Sequence, residues 1–133
     1  LRLPEPWRFE VELVDWRLGL RGVVDIVAGE RRLVVVEVKR YPRRPSLARH
    51  FREQLMAYAL LVNNTMGPVW EAVLVLGDRC YVYEVTYEDL EHARRMVKET
   101  WRAVCSEEPP RPTPSEGMCS YCWYRRLCPY SLA

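Results

Sequence analysis

A chain of 133 residues is long enough for one domain with a real hydrophobic core and too short for two substantial ones. Its 49% hydrophobic and 29% charged residues are ordinary for a soluble globular protein, and 20 basic against 18 acidic side chains leave a formal charge of +2, which neither demands nor excludes a nucleic-acid groove because such binding depends on where the cations stand. No run approaches the ~20 apolar residues of a membrane span and none resembles an export signal, so no membrane and a cytoplasmic location are expected.

In chain order, "RFEVELVDWR" at 8–17 alternates Phe9, Val11 and Leu13 with Arg8, Glu10 and Glu12, the pattern of a strand exposed on one face. "LGLRG" at 18–22 is a tight connection, 22–27 a second short strand, and "AGERR" a hairpin turn. "LVVVEVK" at 33–39 is the most strand-like segment, completing a three-strand meander. "YPRRPSLARH" carries two prolines and three arginines and is expected to be a mobile basic loop. A helix should start near Ser46 and run to about Val62, with Phe51, Leu55, Tyr58, Ala59 and Val62 on its apolar side and Asn63 and Asn64 as terminators. "PVWEAVLVLG" and "DRCYVYEV" predict two strands across a Gly-Asp turn, and Thr86 with Asp89 forms a capping box for a helix striped by Leu90, Ala93, Val97, Trp101 and Val104. The four prolines of "SEEPPRPTPSEG" predict an extended tether. Beyond it a cysteine-rich unit is expected to fold back, covering Trp123, Tyr124 and Leu127.

Within the third strand, period-two geometry projects Glu37 and Lys39 together while Val34, Val36 and Val38 face the other way. Asp25 stands one hairpin earlier, close enough to approach Glu37 if the register cooperates. Two adjacent carboxylates repel each other unless a proton or cation intervenes, which a divalent metal would do. An ordinary surface set of ion pairs fits the same spacing equally well.

"GVVD" followed after eleven residues by "EVK" resembles the core motif of the PD-(D/E)xK nuclease superfamily, in its RecB-like branch. "QLMAY" resembles that branch's Q-x-x-x-Y motif, with Gln54 and Tyr58 on one helix face. The ending "CSYCWYRRLCP" is similar to the cysteine-rich terminus of the iron–sulfur members, among them the CRISPR-associated adaptation nucleases. The resemblance implies an α/β, restriction-endonuclease-like core with a central mixed, largely antiparallel sheet, flanking helices and a cysteine-rich C-terminal lobe. It places the RecB-like core at 1–104, with the tether and metal-binding lobe at 105–133 packed on it. It further implies that Asp25 and Glu37, with the Val38 carbonyl, ligate Mg²⁺ or Mn²⁺, that Lys39 activates the attacking water, and that Gln54 and Tyr58 position the strand or the lysine. The implied activity is metal-dependent hydrolysis of DNA, preferably single-stranded or frayed ends, for CRISPR spacer acquisition beside an integrase partner. A catalytically weak, DNA-binding scaffold module and a zinc-stabilised interaction domain are the rival readings. Unlike the family's usual pattern, this chain reaches its first strand almost at once from Leu1, and Glu10 is no safe replacement for the acid or histidine usually supplied upstream.

Cys119, Cys122 and Cys128 have C-x2-C-x5-C spacing, suited to a shared metal. The resemblance implies a [4Fe-4S] cluster of structural role, with Zn²⁺ as the alternative and Cys105 the candidate internal fourth ligand. Cys80 reads as a small half-buried hydrophobe. Arg40, Arg43, Arg44, Arg49 and Arg52 crowd the end of the catalytic-looking strand and the start of its helix, and Arg125 and Arg126 lie in the cysteine segment. They are candidate backbone contacts for nucleic acid, or else a solvated face. Tyr41 and Trp123 could stack on bases or simply pack.

Overall fold

The structure, a computed structural model, describes residues 2–40 and 47–133, with side chains omitted for 47–50. It divides into two compact units, Leu1–Thr100 and Trp101–Ala133. In the first, β1 (Trp7–Asp15), β2 (Leu20–Ala28) and β3 (Leu33–Lys39) form the expected meander, α1 (Leu47–Thr65) crosses over, and β4 (Val69–Leu76) and β5 (Arg79–Glu84) complete a sheet of order β1-β2-β3-β4-β5. β3 and β4 are parallel and the other neighbours antiparallel, so the sheet is mixed as predicted. A parallel pair requires a crossover, which α1 supplies. α2 (Tyr87–Cys105) follows, and α3 (Glu116–Ser120) lies in the second unit.

Both long helices lie on one face of the sheet. Leu55, Met56, Ala59, Leu60 and Val62 of α1 and Ala93 of α2 join Val24, Val27, Leu33, Val35, Leu74 and Leu76 in the main core. Ala28, Val34, Val36 and Val73 form a smaller cluster on the opposite face, with Leu3, Ile26 and Val75 against it. The turns follow the expected glycine chemistry. Gly77 (φ +66°) makes the β4–β5 turn with Asp78. Gly29 (φ +99°) has no room for a side chain, since a Cβ there would lie 2.4 Å from the Arg32 carbonyl oxygen.

Three expectations change. The first helix does not stop at Asn63 and Asn64. It runs to Thr65, because those amides bond outward: Asn63 Oδ1 accepts from Val69 N at 3.2 Å, and Asn64 Nδ2 donates to Asp15 Oδ2 at 2.9 Å. The alternation of β1 does not hold along its length, since Val11 and Leu13 pack on the helix-side core whereas Phe9 pairs with Ile26, whose side chain belongs to the opposite cluster. In α2 the capping box forms, Thr86 Oγ1 accepting from Asp89 N at 3.2 Å and Asp89 Oδ2 from Thr86 N at 3.0 Å. Its apolar stripe, however, packs on the core at Leu90, Ala93 and Val97 but no further, with Trp101 and Val104 substantially exposed.

Asp15, which the sequence reading did not single out, closes the β1–β2 hairpin. Its Oδ1 accepts from the backbone N–H groups of Arg17 and Leu18, while Asn64 bonds the other oxygen across forty-nine positions of sequence. Burial pushes its carboxyl up, but these hydrogen bonds and the nearby Arg17 outweigh it and hold the pKa below the ordinary value.

Candidate metal and phosphodiester site

The site is built where β2 leaves β3. The β2–β3 ladder pairs Ala28 with Val34, Val27 with Val35 and Ile26 with Val36, so one further step sets Asp25 beside Glu37. There the ladder opens, and Asp25 Oδ2 takes the Val38 N–H at 2.8 Å in place of a backbone carbonyl. Glu37 follows Leu33 and Val35 onto the helix side of β3 and is only 5% exposed. Its Oε1 lies 3.1 Å from Lys39 Nζ, whereas its buried Oε2 receives no hydrogen bond from the described residues.

A buried carboxylate oxygen without a donor is costly. Burial pushes the Glu37 pKa up; Lys39 opposes this and the Asp25 carboxylate adds to it. Asp25 is an acceptor too, so its contact with Glu37 is repulsive unless a proton or cation lies between them. The donor set fits a hard divalent cation, because magnesium characteristically takes one or two protein carboxylates and completes its shell with water and phosphate. Among the described residues no group of three or more His, Cys, Asp or Glu side chains could hold a metal ion.

Lys39 is fixed from a second side by the Phe51 ring, whose centroid lies 4.9 Å from Nζ. Phe51 was predicted only as an apolar helix position, and its aromatic face one turn into the helix that follows the lysine was the available signal. Gln54 Nε2 donates to Tyr58 Oη at 3.3 Å, so the i, i+4 pair meets as its spacing requires. The Tyr58 ring lies over Gly22, where an added Cβ would come within 2.8 Å of Cε1. Gly22→Ala is therefore expected to push the ring aside, weaken the Gln54 bond and cost about 1–3 kcal/mol, measured by urea denaturation. An unchanged midpoint would show that the ring moves freely.

The model of the PD-(D/E)XK nuclease superfamily matches residues 2–129. The chain belongs to that superfamily. Among solved structures it is similar to SSO0001, at 21% identity and a TM-score of 0.56 over 96% of this chain, which shows the fold. It is also similar to a candidate exonuclease of Eubacterium rectale, at 12% identity and a TM-score of 0.48 over 87% of the chain. It spans 62% and 57% of the lengths of these two chains. No curated protein matches it.

Asp25, Glu37 and Lys39, to which the resemblance assigns the acid, acid and lysine of the motif, thus stand together here, with Gln54 and Tyr58 joined to each other on α1. The candidate arginines stand in different surroundings. Arg52 pairs with Asp89 Oδ1 at 3.3 Å and lies over the Tyr83 ring at 5.3 Å, so its guanidinium is engaged by β5 and the start of α2. Arg40 is exposed at the end of β3. Arg43, Arg44 and Tyr41 lie outside the described residues, as does the side chain of Arg49. In the second unit Arg125 Nη1 donates to the Cys122 carbonyl at 2.9 Å and Arg126 is exposed.

Cys119, Cys122 and Cys128 are half-buried free thiols, linked through backbone turns in which Cys122 N donates to the Cys119 carbonyl and Cys128 N to that of Tyr124. They do not converge into a ligand set, and Cys105 and Cys80 are exposed. Among the described residues no cysteine cluster forming a distinct C-terminal lobe is seen, and Trp123, Tyr124 and Leu127, expected to be covered, are exposed. No role is derived through a cluster. No helix among the described residues is long and apolar enough to cross a membrane.

Proposed function

We propose that the protein is a divalent-metal-dependent DNA nuclease whose chemistry is carried by Asp25, Glu37 and Lys39. The observation that supports this most strongly is the donorless Oε2 of a buried Glu37 beside Asp25, with Lys39 3.1 Å from the other oxygen. Mg²⁺ or Mn²⁺, when bound between the carboxylates, would supply a Lewis acid for the phosphoryl oxygen and lower the pKa of a bound water. The protein's own residues do the rest. Val38 N–H holds Asp25 in place, the Glu37 carboxylate holds the Lys39 ammonium, and the Phe51 face keeps that ammonium from swinging into solvent. An ammonium so placed can donate to a non-bridging phosphate oxygen and orient the attacking water.

DNA with single-stranded or frayed ends is the proposed substrate, with exposed Arg40 and the neighbouring basic segment as backbone contacts that carry little base information. A CRISPR-associated, iron–sulfur-bearing identity with an integrase partner has only the cysteine spacing in its favour, and elemental iron in anaerobically isolated protein is the measurement that would add to it. End-labelled single-stranded and duplex DNA incubated with Mg²⁺, Mn²⁺ or EDTA tests the activity. Cleavage confined to the metal-containing reactions is expected. Metal-independent DNA binding without cleavage would favour the non-catalytic scaffold reading.

A further inference from the structure

We infer that Glu10 acts as the positioning residue of the acidic site through its left-handed backbone, which turns Asp25 onto the same face as Glu37. The inference deepens the nuclease reading and rests on it for its functional consequence. Two strands change face together at this point. Along β2, Leu20, Gly22 and Val24 face the helices, Gly22 against Tyr58 and the other two in the main core. Regular alternation would continue with Ile26 and Ala28, yet those two pack on the opposite cluster and Val27 faces the helices instead.

The phase of β2 therefore shifts between Val24 and Asp25. Were the alternation unbroken, Asp25 would point away from the helices and away from Glu37, since a shift of one residue moves every side chain to the other face. With the shift, Asp25 takes the parity of Val27 and stands beside Glu37 as Val27 stands beside Val35.

β1 makes the same shift at the facing position. Val11 and Leu13 face the helices while Phe9 pairs with Ile26 on the other side. Pairing runs from Trp7 with Ala28 to Phe9 with Ile26 and resumes at Val11 with Val24, skipping only Glu10 and Asp25. Glu10 has φ +49° and is the sole non-glycine residue with positive φ among the described residues. Such a conformation is disfavoured for a residue with a Cβ and persists only where its surroundings determine it. The exposed Glu10 side chain gives no sign of being what holds it. The backbone kink is what β2 requires, because only by kinking here can β1 stay paired on both sides of the point where its neighbour changes face.

The backbone role separates from any role of the carboxylate by substitution. Glu10→Gln removes the charge and keeps the backbone preference, Glu10→Gly favours positive φ, Glu10→Ala opposes it mildly, and the β-branched Glu10→Val opposes it strongly. Two readouts apply: hydrogen-exchange protection of the Val38 amide in metal-free protein, which reports the bond to Asp25, and the Mn²⁺ concentration that gives half-maximal DNA cleavage. Glu10→Gly and Glu10→Gln should keep both close to those of the parent. Glu10→Val should lose protection at Val38 selectively and need about 10-fold or more Mn²⁺, the scale on which supporting residues act at metal sites. If that variant does not fold, Glu10→Ala should show the same changes in smaller degree. Full protection and unchanged metal dependence in folded Glu10→Val or in Glu10→Ala would overturn the inference, as would selective loss of Val38 protection in Glu10→Gly. Absence of cleavage by the parent would overturn the nuclease reading alone, because the Val38 amide still reports on the positioning.

Discussion

Replacing Glu37 with glutamine is expected to reduce cleavage at least a hundredfold while stabilising the metal-free protein at neutral pH. The activity loss follows from removing one of the two carboxylates that can hold the cation, whose contribution to phosphoryl transfer is on the order of several kcal/mol. The stability gain follows from the pKa. Burial raises Glu37 above its ordinary value of 4.5, Lys39 offsets this only in part, and Asp25 adds to it. A carboxyl raised in the folded state holds its proton more tightly there than in the unfolded chain. Its contribution to stability is therefore fully present below about pH 4.5 and is lost as the pH rises through the higher folded value. Glutamine has no such loss. Urea midpoints between pH 4 and 8 in EDTA should fall with pH for the parent relative to Glu37→Gln, and added Mn²⁺ should lift the parent much more than the variant. Undiminished cleavage by a folded Glu37→Gln would remove Glu37 from the chemistry, and parallel pH curves would refute the burial argument.

Lys39→Met should damage both fold and activity. Methionine keeps an unbranched stem for packing but loses the ion pair at 3.1 Å and the cation over the Phe51 ring. It leaves Glu37, 5% exposed, with no positive partner in contact among the described residues. The cost should be about 1–3 kcal/mol at neutral pH, less than for a fully buried pair because Lys39 retains 26% side-chain exposure. Mn²⁺ should recover part of that stability, since a divalent cation can stand in for the ammonium as Glu37's partner. Cleavage should stay about a hundredfold or more below the parent even at saturating metal, because charge compensation at the phosphate is then missing. Chemical denaturation with and without Mn²⁺, paired with single-turnover cleavage, separates the two effects. Recovery of cleavage together with stability would make Lys39 structural only.

Much of this architecture was legible from local patterns. The β-branched run at 33–39, the Gly-Asp turn and the Thr86–Asp89 box each involve residues close in sequence, and each forms as its chemistry predicts. The acid–acid–lysine grouping was legible too, because two of its members are alternate residues of one strand. What escaped depends on long-range partners. Asn63 and Asn64 look like helix terminators until Val69 and Asp15 are seen to occupy their amides. Phe9 looks like a companion of Val11 until the face change at Glu10, which no strand propensity encodes.

The parallel pairing of β3 with β4 has a kinetic consequence. Leu33 meets Val69 only after α1 has crossed over, whereas β1, β2 and β3 are joined by short turns. Short loops close at lower entropic cost, so the meander can assemble first during folding. Asp25 and Glu37 would then confront each other before Phe51 arrives on α1 to steady Lys39. Their repulsion would be felt in the folding transition state itself, and a cation accepted by the young hairpin would speed folding more than it slows unfolding. A divalent cation bound there would act as a folding cofactor before any substrate is met.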